Sequence, residues 1–182
     1  EKGADGLIAV AAGAGGHAGQ LSPLALIGEI REWFNGPLLL SGAISTGQSV
    51  LAAQAMGADL AYIGTPFIAT DEANAVEGYK QMITQSTADD IVYSSLFTGV
   101  HGNYLKPSIA NAGMDPDNIP ESDPSAMDFS DQRNRPKSWK DIWGAGQGIG
   151  AIKELVTTQT RVDQLCREYD TARRTLSAKM NG

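Results

Sequence analysis

The chain has 182 residues, 42% of them hydrophobic and 19% charged, with a net charge of −7; that is enough for a domain with a real core and unlike a disordered chain. The acidic balance argues against nucleic acid or an anionic membrane as a main partner, because both need a basic face to neutralise phosphate. Cys166 is the one cysteine, which excludes an intrachain disulfide and a cysteine-built metal cage and fits a reducing cytoplasm. No apolar run approaches the roughly 18 residues a membrane span needs, and the opening Glu1-Lys2-Gly3-Ala4-Asp5 has neither an initiator Met nor a signal-peptide pattern.

In chain order, Leu7–Ala12 is short, apolar and uncharged, which suits a strand buried on both faces. Ser22–Phe34 reads as a helix, with Ser22 as its cap, Pro23 in its first turn, and Leu26, Ile27, Ile30, Trp33 and Phe34 on one stripe. Pro37–Ile44 predicts a second strand, Thr46–Met56 a second helix and Leu60–Ile68 a third strand. This β-α-β-α-β order implies parallel strands joined by crossovers, in a doubly wound sheet or in part of a (β/α)8 barrel. Asp71–Thr84 predicts a further helix capped by Thr70 or Asp71. From about Gly99 to Ser138 the composition turns to Pro, Asp, Asn and Ser and reads as a long excursion, with Arg133, Arg135 and Lys137 as a solvated face. Ile149–Ala178 places Ile152, Leu155, Val156, Val162, Leu165, Cys166, Tyr169 and Leu176 on one stripe, which predicts one or two helices packed against the body.

In either parallel architecture the chemistry belongs at the carboxyl ends of the strands. Gly13–Gly19 follows the first strand and carries His17, one of two histidines. Its glycines clear side chains from around an imidazole and let backbone approach a ligand, and imidazole is suited to proton transfer near neutral pH. A turn histidine that only bonds a backbone carbonyl is the plain alternative. Ser41-Gly42-Ala43 and Gly64-Thr65 each precede a predicted helix, where free backbone N–H groups could cradle a phosphate. Two such turns on consecutive strands favour the C-terminal half of a barrel. Gly144–Gly150 lacks the strand and acidic residue of a dinucleotide fingerprint and reads as a flexible lead into a helix. His101 reads as a loop residue without chemistry. No His, Asp or Glu pair has metal-ligand spacing, and no Gly-x-Ser-x-Gly elbow is present.

Together, Gly3-Ala4-Asp5-Gly6, Gly15-Gly16-His17-Ala18-Gly19, Leu40-Ser41-Gly42-Ala43-Ile44, Met56-Gly57-Ala58-Asp59 and Ile63-Gly64-Thr65-Pro66-Phe67 resemble the nitronate monooxygenase family in order and spacing. Thr98-Gly99, Gly102-Asn103-Tyr104-Leu105 and Trp143-Gly144-Ala145-Gly146-Gln147 resemble its C-terminal portion. The resemblance implies an α/β fold, namely the C-terminal part of an FMN-binding (β/α)8 TIM-type barrel with about three strands present, plus a C-terminal helical region. On that scheme residues 1–98 form the partial barrel with the phosphate and catalytic turns, 99–138 the excursion, and 139–182 the helical segment. The implied activity is oxidation of alkyl nitronates by dioxygen to a carbonyl compound and nitrite, by a cytoplasmic enzyme. His17 carries over as the base, Gly16 as a flavin neighbour, Ser41, Gly42 and Ala43 as the first phosphate turn, Gly64 and Thr65 as the second, and Gln147 as a contact near the flavin. Ala43 stands where many members have glycine, and Pro66 where many have arginine. FMN-dependent NADH:quinone and enoyl-thioester reductases are similar in the same turns. The remaining alternative is an incomplete barrel, inactive alone, that pairs with a second copy or with a missing N-terminal half.

Overall fold

The computed structural model describes residues 3–120 and 140–181. Arg133, Arg135 and Lys137 lie outside the described residues. Three parallel strands, β1 (Leu7–Val10), β3 (Leu38–Ser41) and β4 (Leu60–Ala61), form a sheet in the order β1-β3-β4, with Leu7 opposite Leu38 and Leu39 opposite Leu60. A second sheet, antiparallel, joins β2 (Gly16–His17), β5 (Ile91–Ser94) and β6 (Gly102–Leu105) in the order β2-β6-β5. The architecture is α/β with few strands, consistent with part of a (β/α)8 barrel.

Helices α1 (Pro23–Arg31) and α2 (Gly47–Ala55) begin where the sequence places them. The Ser22 hydroxyl accepts from Leu24 N–H with Pro23 in the first turn, and Thr46 and Ser49 form a reciprocal capping box. The two helices cover one face of the parallel sheet, burying Ala9, Ala11, Leu38 and Leu40 against Ile27, Ala53 and Ala58. The opposite face leaves Ile8 50%, Val10 41%, Leu60 56% and Tyr62 53% exposed. The expectation of a strand buried on both faces is therefore met on one face only; an uninterrupted apolar run does not say whether a second layer is present.

The third predicted strand is shorter than Leu60–Ile68, because Pro66 starts a helical turn, α3 (Thr65–Ile68), directly after the Gly64 corner. The next helix, α4 (Glu77–Gln85), starts six residues later than Asp71. Thr70 is spent elsewhere, its hydroxyl donating to Phe67 O, while Asp71 N–H donates to Val156 O. Residues 102–111, expected as excursion, form β6 and a short helix, α5 (Lys106–Asn111). Tyr104, Leu105 and Ile109 there are fully buried, Tyr104 and Ile109 with Ile142 and Leu105 with Ala145 and Ile149. In the Gly-Asn-Tyr-Leu strand only Tyr104 favours a strand while Gly102 and Asn103 disfavour one, so local propensity is weak and long-range packing decides.

The C-terminal helix α6 (Thr158–Met180) is capped by Thr157 and lies against α2. Glu168 accepts from Gly47 N–H at 2.8 Å, and a side chain at Gly47 would run into the Tyr169 and Leu165 backbone. The predicted stripe divides: Ile152 is buried, Leu165 and Tyr169 are half-buried, and Val162, Cys166 and Leu176 are exposed.

Candidate active site

The predicted turns meet at the carboxyl edge of the parallel sheet, and backbone hydrogen bonds hold them together. Gly13 O accepts from Ala43 N–H at 3.1 Å and from Gln147 N–H at 2.9 Å. Gly146 N–H donates to the buried Thr65 hydroxyl at 3.0 Å. The first, second and third strand turns are thus tied to one another through the late glycine segment.

Gly144–Gly150, read from sequence as a flexible lead into a helix, is instead packed into this edge, where Gln147–Ala151 forms a 3₁₀ turn. A Cβ at Gly148 would stand 2.5 Å from Ala43 O and 2.6 Å from the Ser45 hydroxyl. A Cβ on Gly15 would stand 2.7 Å from Gly146 N. The alternate spacing of Gly144, Gly146, Gly148 and Gly150 was the legible signal, since a segment squeezed between backbones needs side chains absent on its contact faces. Tyr79, missed by sequence reasoning, braces the segment: its hydroxyl donates to Gly144 O, its ring stacks on Trp143 with centroids 5.0 Å apart, and burial pushes its phenol up to about 12.

His17 is exposed, on the two-residue strand β2. Gly16 pairs with Asn103 and His17 with Gly102, so the turn is clamped onto the β5–β6 hairpin. Asn103, fully buried, donates from Nδ2 to Ala14 O at 2.7 Å; its Oδ1 has no hydrogen-bond partner among the described residues. The Tyr93 hydroxyl donates to Ala18 O at 2.9 Å, and Ala18 N–H donates to His101 O. The His101 ring stacks on Tyr93. His17 Nε2 lies 2.9 Å from the Thr98 hydroxyl. Gly16 and Gly42 are buried, Ser41 is half-buried at the end of β3, and Ala43, Gly64 and Gln147 are exposed. Ala43 sits at φ +54°, in the left-handed region that favours glycine. Among the described residues no group of three or more His, Cys, Asp or Glu could hold a metal ion, and no helix is long and apolar enough to cross a membrane.

Parallel strands with helices on one face and glycine turns tied together at the carboxyl edge define an α/β protein whose candidate site lies at its strand-to-helix turns. The family model described as nitronate monooxygenase matches residues 1–168, and the chain belongs to that family. It is 26% identical over 187 residues to a probable nitronate monooxygenase of Bacillus subtilis, covering 92% of this chain and 52% of that protein. It is 28% identical over 181 residues to a nitronate monooxygenase of Paraburkholderia phytofirmans, covering 91% of this chain and 49% of that one. Among solved structures, FabK from Thermotoga maritima superposes with a TM-score of 0.75 at 21% identity, covering 97% of this chain and 58% of its own. Nitroalkane oxidase from Streptomyces ansochromogenes superposes with a TM-score of 0.69 at 25% identity, covering 96% of this chain and 54% of its own. The chain spans about half the length of these relatives.

Proposed function

We propose that this chain carries the phosphate-binding and proton-transfer turns of an FMN-dependent nitronate monooxygenase, which oxidises alkyl nitronates with dioxygen to a carbonyl compound and nitrite. The observation that carries this reading is the union of the His17 turn with the Ala43 and Thr65 turns at one strand edge, in a chain of this family. The turns fit a phosphate at Gly64, which is exposed and where a Cβ would meet no atom within 4 Å beyond its own chain neighbours. They also narrow it, because Ala43 N–H is committed to Gly13 O and Pro66 has no N–H to give. Gly64 and Thr65 N–H would hold the phosphate, Ser41, Gly42 and Ala43 would line the adjoining turn, and Gly16 and Gln147 would flank the rest of the cofactor. Bound FMN supplies the electron transfer between substrate and dioxygen.

The protein's own part is proton transfer and positioning. His17 takes the α-proton of a neutral nitroalkane, and the carbon retains the electron pair as the nitronate. The glycine backbone around the imidazole leaves room for a small alkyl substrate beside it. A pre-ionised nitronate arrives without that proton and needs no base. His17→Asn therefore depresses turnover of the neutral nitroalkane by about a hundredfold or more relative to the nitronate; equal loss on both substrates removes His17 as base. Absorbance of bound FMN and nitrite release in air test the activity itself. A protein that stays colourless with added FMN overturns the flavin reading. NADH oxidation with a quinone or an enoyl thioester, without nitrite release, replaces the reaction by a reductase.

A further inference from the structure

We infer that the groove along α4 is a second binding site, shaped for a small organic cation that also carries a hydroxyl, namely a short amino alcohol. The inference is independent of the nitronate reading and of His17. The groove is a cavity of about 230 Å³ set between α4, the turn that follows it and Pro107 at the start of α5. Gly78, Gln81, Met82 and Gln85 line it at i, i+3, i+4 and i+7, which places them on one helical face. Ser86 lines it as well and is only 4% exposed, yet its hydroxyl bonds to none of the described residues. A buried hydroxyl is ordinarily paired, because leaving it unpaired costs its lost hydration. The partner it lacks belongs in the groove.

The other polar groups of the lining are mainly acceptors. Asp90 Oδ2 accepts from Thr87 N–H at 2.7 Å and from the Thr87 hydroxyl at 3.1 Å, while Asp90 Oδ1 bonds to none of the described residues. Gln81 spends its Nε2 on Glu77 at 3.0 Å, which leaves its Oε1 as an acceptor. Carboxylate and amide oxygens select a ligand with N–H and O–H donors. Charge then selects the cation. Lys106 gives its ammonium to Asp117 at 2.8 Å; the bond and charge of Asp117, and beyond them the charges of Asp90 and Asp89, hold that ammonium above its ordinary range. With Lys106 spent on Asp117, Glu77, Asp89 and Asp90 leave the groove with a negative excess. Met82 and Pro107 offer apolar contact to a short alkyl chain. Gly78 keeps one end open: a Cβ there would meet, outside its own helix, only the Trp143 ring at an ordinary 3.5 Å, so packing does not demand the glycine that a helix disfavours.

Titration of the 15N-labelled protein with ethanolamine, followed by NMR, tests the site, with ethylene glycol and glycolate as the uncharged and anionic counterparts. Ethanolamine should give saturable shifts confined to the amides of α4, of the turn through Asp90 and of the start of α5, with a Kd of about a millimolar. Ethylene glycol and glycolate should bind at least about tenfold more weakly. Asp90→Asn keeps an acceptor for Thr87 N–H and removes the charge, and should weaken ethanolamine about tenfold. Ser86→Ala should weaken it about threefold, with the rest of the spectrum unchanged. Shifts that fail to saturate, or that spread over the whole surface, overturn the site. Ethylene glycol or glycolate binding as well as ethanolamine, or an Asp90→Asn affinity equal to the parent's, overturns the cationic ligand. An unchanged affinity in Ser86→Ala overturns the part given to the buried hydroxyl.

Discussion

At the amino edge of the parallel sheet the fastening is made by side chains, whereas at the carboxyl edge it is made largely by backbone. On the amino side, Arg31 donates to Gly57 O at 2.7 Å, to Phe34 O and Gly36 O, and to Asp59 Oδ2 at 2.7 Å, while Asp59 also accepts from Leu38 N–H at 2.8 Å. On the carboxyl side, Gly13 O gathers Ala43 and Gln147, and glycines pack against carbonyls where no Cβ would fit. The difference teaches where each kind of bond is tolerable. A long charged side chain can reach over a solvated edge, but at a site it would occupy the space a ligand needs. Backbone bonds from Ala43 and Gln147 to the Gly13 carbonyl hold the turns in register without placing a long side chain on the outer side of the candidate site.

The sharpest way to break that contrast is to add a side chain to the carboxyl edge at two glycines with opposite surroundings. Gly148→Val forces carbons into the Ala43 carbonyl and the Ser45 hydroxyl, and the neighbour that must move is backbone. We expect a loss of about 3 kcal/mol in urea denaturation. Gly64→Ala projects into open space on the same edge and should change stability by less than about 0.5 kcal/mol. It should nonetheless weaken FMN binding, measured by flavin fluorescence, because the methyl occupies the side offered to the phosphate. If both substitutions are equally damaging to stability, the edge is packed throughout and the open turn at Gly64 is wrong.

The same contrast explains which parts of the molecule could be read from its sequence. The helices α1 and α2 were legible because Ser22-Pro23 and Thr46 are local signals whose bonds form within three residues. The His17, Ala43 and Thr65 turns were legible as candidates because glycine clusters after apolar runs mark strand ends. The β2-β6-β5 sheet was not, since Gly16 finds Asn103 across more than eighty residues and neither strand has a local β signature. Gly57-Ala58-Asp59 belonged to the family resemblance, yet its carboxylate braces the edge opposite the candidate site. A motif can therefore mark the family without marking the chemistry. The division into three segments at residues 98 and 138 is kept as a proposal, with β6 and α5 falling inside the middle one.

A side chain also takes part at the carboxyl edge, and Tyr79 measures how much. Its hydroxyl donates to Gly144 O from a half-buried position, so Tyr79→Phe leaves that carbonyl without this donor and should cost about 1 kcal/mol. Loss of water around the half-buried phenol pushes it up from its ordinary value of 10.0 to about 12. Because the folded value is raised, its contribution is full below the unfolded phenol's range and is lost as pH rises through the folded value. Wild-type stability should therefore fall between about pH 10 and 12 more steeply than that of Tyr79→Phe. Matching slopes in the two proteins would show that Tyr79 is wet, and that the late glycine segment is anchored by its backbone alone.

The smallest expected effect lies at the amino edge, on Asp59. The Leu38 N–H bond, and after it the Arg31 guanidinium, hold the Asp59 carboxyl below the ordinary carboxylate range. A depressed folded value means that the unfolded chain takes up this proton first as pH falls. The contribution is thus present above the unfolded value and lost as pH falls through the folded one, a window below about pH 4. Asp59 is exposed, so solvent screens the charge and the change in slope should be small. Asp59→Asn can still accept from Leu38 N–H but cannot titrate. Its urea midpoint should fall less steeply with acid than the wild-type midpoint, while Glu72, held low by Thr158 at the start of α6, gives both proteins the same residual slope. Identical acid slopes would mean that Arg31 braces this edge through the carbonyls of Phe34, Gly36 and Gly57 and gains nothing from the carboxylate's charge. The amino edge would then be fastened to backbone acceptors, as the carboxyl edge is, and the contrast would reduce to which edge leaves room for a ligand.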